Sequence, residues 1–305
     1  MSGLRLDGKA AVVTGSGRGL GRAYAQALAQ AGAAVVVNDV DPEAAEDTAA
    51  AIAAQGGQAV AEVAAVGDTA AAEALVARAV AEFGRLDAMI TNAGVLRDKV
   101  LWKMTDDDFD LVIRTHLRGT FTCARAAAIR MREQGDGGRI IVVGSPAGQY
   151  GNFGQTNYAA AKAGIVAYAR TWALELARSG ITVNAIVPTA WTRMTAGIPM
   201  YEPLVARADA GEGFPPDVRR DHAIGMPDDC APLVVFLASD AAADVTGQAV
   251  GIGGDRLSLY SHPAEVAFEL RDGGWTADGI ADRWEAAFGA SQQPYGVRLP
   301  ALDLS

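Results

Sequence analysis

The sequence predicts an α/β protein: a single doubly wound parallel sheet with helices on both faces, a lid, and a C-terminal appendage. Three observations carry this. Short apolar runs recur through the first 190 residues without the alternation of a half-exposed strand, as expected of strands buried on both faces. Alanine-rich stretches of helical length separate those runs, giving a βαβ rhythm. A glycine-rich loop, Gly15-Ser16-Gly17-Arg18-Gly19-Leu20-Gly21, joins the first apolar run to the first helix.

The predicted strands cover residues 10–14, 34–38, 59–66, 86–91, 139–143, 182–187 and 248–252. Helices are predicted over 20–31, 42–55, 69–83, 107–133, 157–178 and 228–238. Asp41, with Pro42 in the first turn, and Asp68 are the expected N-caps of the second and third helices. The rhythm fails between about 190 and 226, where Trp191, Met194, Met200, Tyr201 and Phe214 mix with prolines at 199, 203, 215 and 216. That stretch is too apolar for a free linker and too rich in proline for one helix. It reads as a lid, with those five side chains as walls of a substrate pocket. In the appendage, Trp275, Ile280, Trp284 and Phe288 are spaced like an apolar helix face, which points to packing.

Composition removes several classes of function. Against 26 basic residues stand 36 acidic ones, a formal net charge of -10, so a nucleic-acid partner is not expected. Two cysteines without motif spacing argue against a disulfide framework or a zinc site. Residues 1–8 lack the apolar stretch of a signal peptide, and no run of roughly 18 apolar residues would span a membrane. The expectation is a soluble, cytoplasmic protein with a small-molecule substrate and no metal.

The glycine loop points to a dinucleotide. Glycines allow a tight turn and close backbone approach to a pyrophosphate, and the helix N-terminus behind them offers unpaired N–H groups. Asp39 closes the second strand, where a carboxylate can accept both hydroxyls of an adenosine ribose and repel a 2′-phosphate. That favours NAD. Arg18 in the loop is the counter-signal, because an arginine can pair with the 2′-phosphate, and it leaves NADP open. The expected division is then residues 1–253 as a dinucleotide-binding catalytic domain and 254–305 as an extension packed on it.

Tyr158 and Lys162 lie one helical turn apart on one face of a predicted helix. An ammonium beside a phenol stabilises the phenolate and draws the tyrosine pKa down from about 10. Tyrosine can then exchange a proton with a substrate oxygen while hydride moves at carbon. Ser145, just past the strand at 139–143, can hold that oxygen in register. An unrelated helix face carrying a snorkelling lysine would not also be accompanied by the glycine loop, Asp39 and Asn92-Ala93-Gly94 in this order.

Taken together these residues resemble the short-chain dehydrogenase/reductase family over nearly the whole chain. The resemblance implies a Rossmann-like sheet and Tyr158 as acid/base. It also implies Lys162 on the nicotinamide ribose, Ser145 as the orienting hydroxyl, and Asn92, Ala93 and Gly94 lining the cofactor cleft. Val66 would lie near the adenine, although Ala65 stands where an aspartate is usual. Pro188 and Thr192 would meet the nicotinamide end. Within the family, Asn38-Asp39, Leu96-Arg97-Asp98, His116-Leu117-Arg118-Gly119, 151–155, Arg193-Met194-Thr195, Gly274-Trp275-Thr276 and Trp284 are similar to the dehydrogenase part of the peroxisomal multifunctional enzyme. That branch acts on (3R)-hydroxyacyl-CoA and, in some members, 17β-hydroxysteroids. His116 stands where most of the wider family has a relay asparagine, so it is a further catalytic candidate beside the reading as an interior histidine. The resemblance also implies a homodimer or homotetramer paired through the alanine-rich long helices. Two rivals stay open: an NADP-linked 3-oxoacyl reductase with the same catalytic residues, and a non-catalytic nucleotide sensor.

Overall fold

In the computed structural model, residues 4–196, 201–297 and 300 are described. Eight strands form one sheet: β1 (Ala10–Val13), β2 (Ala34–Asp39), β3 (Gln58–Val63), β4 (Ala88–Thr91), β5 (Gly138–Val143), β6 (Ile181–Pro188), β7 (Ala249–Gly253) and β8 (Arg256–Tyr260). Their order is β3-β2-β1-β4-β5-β6-β7-β8. Seven run parallel, and β8 pairs antiparallel to β7. The chain winds outward one way from β1 and the other way from β4. A crevice therefore opens between the carboxyl ends of those two strands, the place where such sheets bind ligands.

The helices are α1 (Gly19–Gln30), α2 (Pro42–Ala54), α3 (Thr69–Phe83), α4 (Asp106–Val112), α5 (Gly119–Gln134), α6 (Pro146–Tyr150), α7 (Thr156–Leu176), α8 (Arg193–Ala196), α9 (Glu202–Asp209), α10 (Pro216–Asp221), α11 (Ala231–Ala238) and α12 (Ala277–Phe288). Successive strand residues alternate between two cores. Ala11, Val13, Val35, Val37, Ile90 and Ile141 meet α1, α2 and α11. Val12, Val36, Met89, Ile140, Val142 and Val183 meet α3, α5 and α7 on the other face. The central strands are mostly apolar at successive positions because both faces are covered, which is why the sequence shows runs rather than alternation. The expected caps are present: Asp41 accepts from Ala44 N at 3.2 Å, and Asp68 from Ala71 N at 2.8 Å.

Several expectations change. The single helix predicted over 107–133 is two α-helices joined by a π-helical turn, Ile113–Arg118. That wider turn carries His116 into the interior, whereas helical periodicity in the sequence runs through it unbroken. The third strand stops at Val63, the partner of Asp39, because β2 offers no further pairing. An eighth strand extends the sheet past residue 253. It carries Leu257 and Leu259 on its exposed face, so its apolar pattern did not mark a core strand. No residue of α12 is buried. Of the face expected to pack, Trp275, Ile280 and Trp284 are 38%, 45% and 49% exposed, and Phe288 is half-buried beside Trp284. The extension meets the domain at its start, where β8 pairs with β7, and again near its end, where Gly296 N and Val297 N donate to Tyr150 O and Gly151 O at 2.7 and 3.2 Å. No helix among the described residues is long and apolar enough to cross a membrane.

One core feature is open to test. The Tyr24 ring is wholly buried, and its hydroxyl has no hydrogen-bond partner. A buried unpaired hydroxyl costs about 1–3 kcal/mol. Tyr24→Phe should therefore raise stability by about 1 kcal/mol in chemical denaturation. A loss of similar size would show that the hydroxyl is satisfied in solution.

Candidate active site

The loop after β1 is bare backbone by necessity. A Cβ at Gly15 would lie 2.7 Å from Ala93 Cα, and one at Gly21 would lie 2.1 Å from the Gly15 carbonyl and 2.6 Å from Asn92 Nδ2. Asn92 ties the same corner together by donating Nδ2 to Thr14 O and Gly15 O at 3.1 and 3.0 Å. Thr14 Oγ1 accepts from Asn92 N and Ala93 N. At Gly19, with φ +55, a Cβ would meet nothing within 4 Å. No side chain caps α1, so the first N–H groups of α1, from Gly19, Leu20 and Gly21 onward, face that open space. An uncapped helix N-terminus over an open, glycine-lined cradle suits a pyrophosphate.

Asp39 sits beside the cradle. Its Oδ2 accepts Gly17 N at 3.0 Å and its Oδ1 accepts Asp41 N at 3.2 Å. A Cβ at Gly17 would come within 2.8 Å of that carboxylate. Arg18 turns to Asp41, with a contact of 2.6 Å. Val66 packs against Gly119, which has no room for a side chain, since a Cβ would stand 2.8 Å from Val66 Cγ2.

The three catalytic candidates meet at the carboxyl edge of β5. Ser145 follows that strand and caps α6, accepting Ala147 N at 3.2 Å. Its side chain stands near Tyr158 and favours the ionised phenol. Lys162 is 3% exposed, donates Nζ to Val143 O at 2.7 Å, and lies 5.5 Å from the Tyr158 ring centre. Asn157, which the sequence reading passed over, holds the start of α7. Its Nδ2 donates to Arg97 O and Asp108 O, and its Oδ1 accepts Tyr158 N at 2.7 Å. Its place directly before Tyr158, at a helix start, was the only sequence signal.

Electrostatics here differ from the expected pattern. Burial pushes Tyr158 up, the Ser145 hydrogen bond works against that, and nearby Asp98 adds to the rise. Burial also brings Lys162 down to about 7. Desolvation of both groups outweighs the mutual stabilisation that spacing alone suggested. His116 stands edge-on to Tyr158, ring centres 5.1 Å apart. Its Nε2 lies 3.0 Å from Val95 N and 2.8 Å from Val95 O, so it serves one or the other according to tautomer. Nδ1 is buried without a partner in either case. Burial first, and then the charge of Lys162, hold His116 at about 3.

Residues 9–199 match the family profile for short chain dehydrogenases. The chain belongs to that family. Its members are dehydrogenases and reductases acting on CH–OH and keto groups. The chain is 38% identical to the peroxisomal multifunctional enzyme type 2 of Mus musculus over 294 residues, 93% of this chain and 37% of that protein. It thus spans little more than a third of that relative's length. A hydroxyacyl-CoA dehydrogenase, ChsB1, of Mycobacterium tuberculosis is 41% identical over 271 residues, covering 85% of this chain and 81% of that one. Reductases named for 3-oxoacyl-[acyl-carrier-protein] are also relatives, at 36% and 40% identity. A solved short chain dehydrogenase from Mycobacterium avium superposes with a TM-score of 0.82 at 36% identity, covering 95% of this chain and 98% of that one.

In this short-chain dehydrogenase, Pro188 ends β6, and Thr192 follows in the turn that opens α8. Thr192 N donates to Thr195 Oγ1 at 2.6 Å. Of the lid residues, Trp191, Tyr201 and Phe214 come together with Leu204, Val218 and Ile224 in a small core separate from the two main ones. Tyr201 and Phe214 are buried in it, 3% and 6% exposed, rather than lining an open wall. Met194 lies in α8, but its side chain and all of Met200 fall outside the described residues. Both cysteines are buried and free. No cluster of three His, Cys, Asp or Glu suited to a metal occurs among the described residues.

His116 makes a testable contribution to acid sensitivity. Held at about 3 in the fold against an ordinary 6.5, it leaves the folded protein binding fewer protons than the unfolded chain between those values. Stability from this group is complete above about 6.5 and is lost as pH falls toward 3. The fall in Tm between about pH 7 and pH 5 should be smaller in His116→Asn than in the parent by calorimetry. Equal falls would mean that His116 titrates normally.

Proposed function

We propose that the protein is an NAD(H)-linked dehydrogenase that interconverts a secondary alcohol and a ketone on a bulky, lipid-like substrate of the (3R)-hydroxyacyl-CoA or hydroxysteroid type. The observation that carries the reading is the placement of Lys162 beneath the Tyr158 ring, 5.5 Å from its centre and anchored to the Val143 carbonyl, with Ser145 beside them at the edge of the crevice. Two neighbouring hydroxyls at one edge of the crevice can both reach one substrate oxygen.

Gly15, Gly17, Gly19, Leu20 and Gly21 would hold the pyrophosphate of the dinucleotide, and Asp39 the adenosine ribose. Val66 would lie near the adenine, and Asn92, Ala93, Gly94, Pro188 and Thr192 along the nicotinamide half. When bound, oxidised cofactor supplies the hydride acceptor and a positive charge near Tyr158. Ser145 donates a hydrogen bond to the substrate oxygen and fixes its position. Tyr158 takes the proton from that oxygen in oxidation and returns it in reduction. Lys162 would hold the nicotinamide ribose and, when protonated, favours the phenolate. His116 packs against Tyr158 and restricts its ring.

Asp39 supports NAD, because its carboxylate faces the loop while Arg18 is already paired with Asp41. Relatives named for hydroxyacyl-CoA support the substrate class. Relatives named for 3-oxoacyl carrier-protein reduction support the second reading, an NADP-linked reductase. A homodimer or homotetramer and residues 1–253 as the catalytic unit belong to the same proposal.

The deciding experiment is oxidation of a medium-chain (3R)-hydroxyacyl-CoA, a 17β-hydroxysteroid and a small polar alcohol, each with NAD and NADP. A bulky substrate should win, since burying apolar surface gains about 25 cal/mol per Å². A win for the polar alcohol would exclude the lipid-like substrate. Tyr158→Phe should cut turnover by about 10²-fold or more with cofactor affinity little changed. Near-full turnover would remove Tyr158 from its role. NAD should be preferred by about tenfold in kcat/KM, and Asp39→Ala should narrow that preference. A parent enzyme that prefers NADP would favour the reductase reading.

A further inference from the structure

The lid is a small body with its own core, and it is tied to the frame at one place. Within α10, Val218 points into the lid core while the next residue, Arg219, reaches the other way. Arg219 donates Nε and Nη2 to Asp255 Oδ1, at 2.8 and 2.6 Å, in the turn between β7 and β8. It donates Nη1 and Nη2 to Asp229, at 3.1 and 3.2 Å, at the entry to α11. All three guanidinium nitrogens are thus used on two carboxylates from two parts of the frame. Asp255 N returns a bond to Arg219 O at 3.1 Å, and Asp229 Oδ2 also takes Met226 N at 2.7 Å.

The backbone around this point is built for contact. A Cβ at Gly254 would lie 2.4 Å from Arg219 O, and one at Gly225 would lie 2.1 Å from Asp229 Oδ2. A Cβ at Gly253 would strike Thr189 O at 2.1 Å and Ala223 O at 2.2 Å. Ala223 itself has φ 55, the one non-glycine residue with positive φ among the described residues. Such a conformation is unfavourable for a residue with a Cβ and persists only where neighbours enforce it. Trp191 N donates to Gly225 O at 2.7 Å, so the lid's departure and return are stitched side by side. The stretch from Thr189 to Trp191, which leads into Thr192, and the end of α10 therefore rest on one glycine platform.

We propose that Arg219, with Asp229 and Asp255, is a positioning residue for substrate: it locks the lid core to the carboxyl edge of the sheet and so sets the pocket wall over residues 188–192. This rests on the reading of the lid as the substrate cover. A bidentate guanidinium suits the task because its planar fork fixes angle as well as distance. Hydrogen bonds to Asp255 and Asp229 hold Arg219 firmly in its charged form.

The test compares Arg219→Gln, Arg219→Lys and Asp255→Asn with the parent in three measurements. These are KM and kcat for the bulky substrate and a small alcohol, NAD affinity, and chymotryptic cleavage after Trp191 and Tyr201. Arg219→Gln should raise KM for the bulky substrate about tenfold, with smaller effects on kcat, the small alcohol and NAD. It should also speed cleavage at the two lid aromatics. Arg219→Lys should recover part of the KM, because an ammonium keeps the charge without the fork. Asp255→Asn should shift KM in the same direction by less, and it serves if Arg219→Gln does not fold. Unchanged cleavage, or equal losses on both substrates, would overturn the clamp. If the parent itself shows no preference for bulky substrates, the lid-as-cover reading fails, and cleavage still decides whether Arg219 holds the lid.

Discussion

The close approach of backbone at Gly15, Gly21 and Asn92 governs everything at the carboxyl edge of the sheet. The strand order reverses between β1 and β4, so the loops that leave these strands must separate and still seal the floor of a crevice. Gly15 lies against Ala93, and Gly21 lies against the Gly15 carbonyl, leaving no room for a Cβ at either position. Asn92 occupies the corner with both donor positions of its amide spent on backbone carbonyls. The N-terminus of α1 is thereby left facing open space, and the proposed dinucleotide site follows from that exposure.

The chemistry at the other side of the crevice is dominated by desolvation. Lys162 is buried and uses one proton on the Val143 carbonyl, which ties it to β5 as firmly as to its own helix. Tyr158 is squeezed between Ser145, Lys162 and the edge of His116. A low-dielectric setting raises the cost of the phenolate but also strengthens the effect of each nearby charge. Such a site is most responsive to a cation placed beside it, which suits a tyrosine whose partner in oxidation is positively charged.

The lid and the extension stand apart from this rigid centre in different ways. The lid folds around its own aromatic cluster, so its aromatics stabilise its shape before any of them meets a ligand. The extension carries a helix with an unpartnered apolar face and meets the domain near its end, beside the loop that follows Ser145. Beyond Ala190 and Tyr260 at their junctions with the sheet, neither element adds to the two main cores.

Local chemistry determined much of this protein in advance. Doubly buried strands favour apolar residues on both faces, close backbone contacts demand glycine, and Asp41 and Asp68 can cap helices using only their neighbours. The glycine loop, Asp39 and the Tyr158–Lys162 pair were legible for that reason. Other features arise between residues distant in sequence. The π turn that buries His116 fits against Gly94, 22 residues away, and helical periodicity does not record it. Strand β8 exposes its leucines, so it lacks the signature of a core strand. The rise in the Tyr158 pKa depends on how completely its neighbours exclude water, which spacing along a helix cannot express. Arg219 is one of many arginines until Asp229 and Asp255 are brought to it, because a salt bridge is a property of the fold and not of the residue.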